Sequence, residues 1–122
     1  ISVLIASCLC WVKIQVTVSG KLTCPSENFH YLVTLREADN NGNSDKVAES
    51  APGRGKAGKP APFEVSGRAF DGWFEYTVEP FIVIEHSCGG LNQCLRKDLG
   101  DQTENVDITN IDINLESNNL EK

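Results

Sequence analysis

From Val12 onward the chain alternates apolar and polar positions. Val12, Ile14, Val16 and Val18 are separated by Lys13, Gln15, Thr17 and Ser19, and the pattern runs past Gly20 through Leu22 to Cys24. Period-two alternation predicts a half-buried strand, because successive side chains of an extended backbone point to opposite faces. Pro25, Ser26, Glu27 and Asn28 predict a turn, followed by a second strand with Tyr31, Val33 and Leu35 on one face and His30, Thr34 and Arg36 on the other. Residues 39–45 read as a polar loop. Across residues 51–62 the breakers Pro52, Gly53, Gly55, Gly58, Pro60 and Pro62 predict no regular element. Short strands are expected at residues 63–65, 73–77 and 81–84, the last rich in β-formers on both faces and therefore central. A closing alternation of Val106, Ile108, Ile111, Ile113 and Leu115 slips by one residue around Thr109 and Asn110, which is how a β-bulge looks in sequence. No window has helical period. About seven or eight short strands joined by turns predict an all-β fold, an antiparallel β-sandwich of Greek-key type.

The 122-residue length suits one domain, and a net charge of -6 argues against nucleic acid as a partner, since neutralising phosphates needs a basic field. The first ten residues are uncharged and almost wholly apolar. Such a run is too short to cross a bilayer, which takes about 20 residues, but it fits the core of a secretory signal peptide. We therefore expect a truncated signal peptide over residues 1–11, cleaved near residues 8–12, and a single domain over residues 12–122; a buried first strand is the alternative use of the same residues. Removal of Cys8 and Cys10 leaves Cys24, Cys88 and Cys94 of the five cysteines. In an oxidising compartment two of these should pair, and Cys88 with Cys94 is one choice. Zinc is not expected, because no second close Cys or His pair matches Cys88 and Cys94.

Several segments together resemble the nematode transthyretin-like family of small secreted proteins. They are Val16-Thr-Val-Ser-Gly-Lys-Leu-Thr-Cys24, Val33-Thr-Leu-Arg-Glu-Ala-Asp39, Phe63-Glu-Val-Ser-Gly67, Glu79-Pro-Phe-Ile-Val-Ile-Glu-His-Ser-Cys88, Cys94-Leu-Arg-Lys97 and Asp107-Ile-Thr-Asn-Ile-Asp-Ile-Asn-Leu115. The run ending in His86, Ser87 and Cys88 is the most specific. The connection from Arg96 to Val106 is shorter than the family's and lacks its Pro and Tyr, while the Gly-Arg-Gly-Lys stretch at residues 53–56 is longer. The resemblance implies a transthyretin-type sandwich in which Cys24 pairs with Cys88, leaving Cys94 as a thiol or for use between chains.

Transthyretin-type sandwiches also include hydroxyisourate hydrolases, but the early His and the terminal Tyr-Arg-Gly-Ser of those enzymes are missing here, so no catalytic residue is expected. His86 shares a face with Ile84 and Cys88 and reads as a core or interface histidine bonded to backbone or a carboxylate, a pH-sensitive contact or metal ligand being the alternative, with Glu85 solvated on the other face. Asp39, Asn41 and Asn43 superficially suggest an EF-hand, yet Gly42 and Glu49 fall at the wrong places, so a polar turn is expected and no metal. Arg54, Lys56 and Lys59 concentrate positive charge on the Gly-rich stretch of an acidic protein. Either they belong to a solvated loop or they meet an anionic partner. Trp73 and Phe74 are neighbours and cannot both face a core from one strand, which makes Trp73 a further binding candidate. The expectation is a secreted, non-enzymatic binding or bridging protein without a cofactor. Its partner would be a small apolar ligand, a lipid head group or an extracellular protein, with homo-oligomers possible; a divergent hydroxyisourate hydrolase is the alternative.

Overall fold

The opening alternation builds β1 (Val12–Thr23), the middle strand of one sheet. In the computed structural model, which describes residues 12–38, 44–71 and 77–116, it is followed by β2 (Phe29–Ala38), β3 (Ser44–Glu49), β4 (Gly53–Gly55), β5 (Ala61–Asp71), β6 (Pro80–His86), β7 (Gln93–Asp98) and β8 (Val106–Asn114). The chain is all-β, with no helical element among the described residues. One sheet runs β5-β1-β8 and the other β3-β2-β6-β7, with β4 also paired to β2.

Ile14, Val16, Val18 and Leu22 of β1 point inward and are at most 3% exposed, while Lys21 stays in solvent. They meet Val33, Leu35, Ile82 and Ile84 from the other sheet in one core. The strand at residues 81–84 is central as expected: β6 lies between β2 and β7. On the side where β3 meets β5 the sheets come close, and a Cβ on Gly67 would lie 2.8 Å from Val47 Cγ1. The Cys24–Cys88 disulfide, with Cα atoms 5.8 Å apart, joins the residue after β1 to the segment after β6 and so links the two sheets through their interior.

The expected bulge is present. Val18 pairs with Ile108 but Gly20 pairs with Ile111, so β8 carries one more residue than β1 across this step. Asn110 takes the strain with φ 62°, a left-handed conformation that Asn tolerates better than most residues. Gly20 sits at the closest approach, where a Cβ would lie 1.9 Å from the Ile111 carbonyl oxygen.

Four sequence expectations need correction. The sandwich is not purely antiparallel, because β8 runs parallel to β1. β8 is reached from β7 of the opposite sheet through residues 99–105, and a crossover between sheets can deliver a parallel strand where a tight hairpin cannot. The Gly- and Pro-rich stretch is not structureless: it holds β4, and β5 already begins at Ala61. Ser44 and Asp45 belong to β3 rather than to a loop, while residues 39–43 lie outside the described residues. Edge strand β7 was not anticipated, since Gln93-Cys-Leu-Arg-Lys-Asp98 is largely charged or polar, as edges that resist further pairing often are. Of the strand expected at residues 73–77, Thr77 is in no strand and the rest, like residues 1–11, lies outside the described residues.

Candidate functional site

The site grows from the pairing of β4 with the start of β2, which sets Gly55 opposite Phe29, Arg54 opposite His30 and Gly53 opposite Tyr31. A Cβ at Gly53 would lie 2.3 Å from the Tyr31 ring, and one at Gly55 would lie 2.3 Å from the Phe29 ring. The two aromatic rings, with centroids 5.6 Å apart, fill the space that side chains at these positions would need. Glycine at alternate positions therefore lets the rings in on one face. Arg54, between them, is left on the other face beside His30, and both are exposed. Tyr31 is anchored from inside: its hydroxyl donates to the Pro62 carbonyl at 2.7 Å, and burial raises its pKa above the usual 10.0.

The basic stretch beyond β4 is held by hydrogen bonds. Asn28 Oδ1 accepts from the Ala57 N–H at 2.8 Å, the Cys24 carbonyl from Gly58 N–H at 3.0 Å, and the Lys56 carbonyl from Lys59 N–H at 3.0 Å. On the opposite flank Ser87 Oγ accepts the His30 N–H at 3.0 Å. Two clefts open on either side of the His30 and Arg54 pair. The smaller, about 340 Å³, is lined by Asn28, His30, Arg54, Lys56 and Ser87 and has no carboxylate in its wall. The larger, about 450 Å³, adds Leu32, Pro52, Glu85 and Cys94 to the shared His30 and Arg54. The ion pairs seen among the described residues are Lys46 with Glu49 and Arg96 with Asp98, so Arg54 and Lys56 form none there. A guanidinium fork next to an ammonium group and hydroxyl and amide donors is suited to binding an oxyanion.

Of the residues singled out from sequence, Arg54 and Lys56 are brought together. Lys59 is exposed and lines neither cleft, and Trp73 lies outside the described residues. Cys94 is an exposed thiol on β7 at the wall of the larger cleft. His86 is 1% exposed, and its Nδ1 accepts the Cys88 N–H at 3.1 Å, so it serves as the backbone-bonded core histidine expected, with Glu85 exposed. No cluster of three or more His, Cys, Asp or Glu fit to hold a metal occurs among the described residues. Sequence reasoning missed His30, Asn28 and Ser87 as site residues. The alternation of β2 did put His30 on the outer face, but nothing in sequence announced β4 as its neighbour.

The described residues thus define an all-β, sandwich-like chain with the Cys24–Cys88 disulfide between its sheets and a cationic cleft at the edge of the larger one. No protein-family model matches the chain, and no curated protein matches it.

Proposed function

We propose that this chain is a secreted, non-enzymatic binding or bridging protein built on a transthyretin-like Greek-key sandwich, and that it recognises anionic groups of an extracellular lipid or protein. The observation that carries the reading is the pair of exposed cations, Arg54 and Lys56, which line one cleft with His30 and have no ion-pair partner among the described residues of a protein of net charge -6. Such a local positive field in an acidic molecule steers an anionic partner to one place. The disulfide supports the compartment, since a buried Cys–Cys link persists where the environment is oxidising. It also supports the family reading, because Cys24 with Cys88 is the pairing that the resemblance implies.

The enzyme alternative draws little from the geometry. His30 and His86 both line the larger cleft, but His86 is 1% exposed and its Nδ1 is engaged by the Cys88 N–H, so that nitrogen is not available as a base. The deciding experiment has two arms. Native mass spectrometry of the protein from a secretory host should reveal a co-purified anionic molecule, and incubation with hydroxyisourate should proceed at the uncatalysed rate. Turnover above that rate, lost in His30→Ala, would replace the binding reading with the enzymatic one.

A further inference from the structure

Building on that reading, we infer that the two clefts form one bipartite site for a single-chain amphiphile with a phosphate head. The head sits in the smaller cleft and the hydrocarbon lies along Leu32 in the larger. Donor bookkeeping in the smaller cleft leads to the head group. Asn28 Oδ1 is occupied by the Ala57 N–H and Ser87 Oγ by the His30 N–H. These bonds use the acceptor sides of both residues, leaving the Asn28 amide NH₂ and the Ser87 O–H as donors. With the Arg54 guanidinium and the Lys56 ammonium they make four donor groups around a cleft without a carboxylate. Two cations with two neutral donors match the near-double charge and the three terminal oxygens of a phosphate monoester better than the single charge of a carboxylate.

The larger cleft sets the direction. Leu32 is half-buried on its wall and Glu85 is exposed there, so a phosphate placed in it would face a like charge while a hydrocarbon chain would not. The volumes of about 340 Å³ and 450 Å³ lie within the range of small-molecule sites, about 300–1,000 Å³. The shared wall of His30 and Arg54 places the head next to the start of the chain.

The test is a ¹H–¹⁵N NMR titration of the intact protein with inorganic phosphate and, separately, with decyl phosphate below its micelle concentration. Inorganic phosphate should move the amides of residues 28, 30, 54–56 and 87. Decyl phosphate should move these together with residues 32, 93 and 94, and bind at least tenfold tighter, which about two buried methylenes would supply. Arg54→Gln with Lys56→Gln should weaken both ligands by about fivefold per charge. Leu32→Gln, which adds no charge, should weaken decyl phosphate only. The substituted positions are exposed or half-buried, and the unchanged spectrum of each free variant verifies its fold. Decyl phosphate bound elsewhere, or with equal strength by wild type and the double Gln variant, would overturn the bipartite site and leave the broader binding reading standing. Equal affinity for the two ligands would overturn the amphiphile and retain only a phosphate subsite. Silence of both ligands would overturn the site altogether, the broader reading then being decided by the mass spectrometry above.

Discussion

Gly20 and Tyr31 show how much of the molecule rests on single side chains. At Gly20 even one methyl group would enter the Ile111 carbonyl, so Gly20→Ala must push β1 and β8 apart at the bulge. Overpacking of this kind costs about 1–3 kcal/mol, and more where backbone is the obstacle. Urea unfolding should show the midpoint falling by a corresponding amount, and an unchanged midpoint would refute the close approach. Tyr31 carries a pH prediction. Burial raises the pKa of its phenol in the folded protein, so the folded state binds its proton more tightly than the unfolded state does. Its contribution is complete below about pH 10 and is lost as pH rises through the folded pKa. Stability should therefore decline in alkali, Tyr31→Phe should flatten that decline, and titration of phenolate absorbance should show one of the two tyrosines ionising late.

At the scale of elements, the bulge and the disulfide carry the strongest expectations. Asn110→Gly should be tolerated or mildly stabilising, since glycine adopts a φ of 62° freely, whereas Asn110→Val should cost about 1–2 kcal/mol. The Cys24–Cys88 link closes a separation of 64 residues, worth about 4 kcal/mol in a chain-entropy account. Paired replacement of both cysteines by Ala should lower unfolding stability by that order. Peptide mapping without reduction should recover the Cys24–Cys88 peptide pair, and a Cys88–Cys94 pair would contradict it. β1, β2, β6 and the bulged β8 were legible in sequence because each buries one face and so must alternate or, for β6, stay apolar on both. β3 and β7 were not, because edge strands keep charged residues that mimic loops. β4 was hidden for a different reason. Its glycines read as breakers, yet they are there to admit the rings of Tyr31 and Phe29, a requirement set by residues more than twenty positions away.

Across the whole molecule the same misreading governed the candidate site. Arg54, Lys56 and Lys59 stood out by charge alone, but their sequence context suggested a flexible loop, and the pairing with β2 instead fixes Arg54 against His30. The cleft could not be read from sequence because Asn28, His30 and Ser87 come from turns and strands whose proximity depends on the sheet order. Trp73 gains no support, since it lies outside the described residues.

The central claim is that these cations meet an anionic partner, and sedimentation with lipid vesicles tests it most directly. Wild type and the Arg54→Ala, Lys56→Ala, Lys59→Ala triple variant are compared on vesicles with and without anionic lipid, over a salt series. Wild type should sediment with anionic vesicles alone, more weakly as salt shortens the Debye length below about 10 Å at 0.1 M. The triple variant should lose about 1 kcal/mol of binding per charge without losing thermal stability, because all three side chains are exposed. Equal binding by the two proteins, or binding indifferent to salt, would contradict the account and return these residues to a solvated surface.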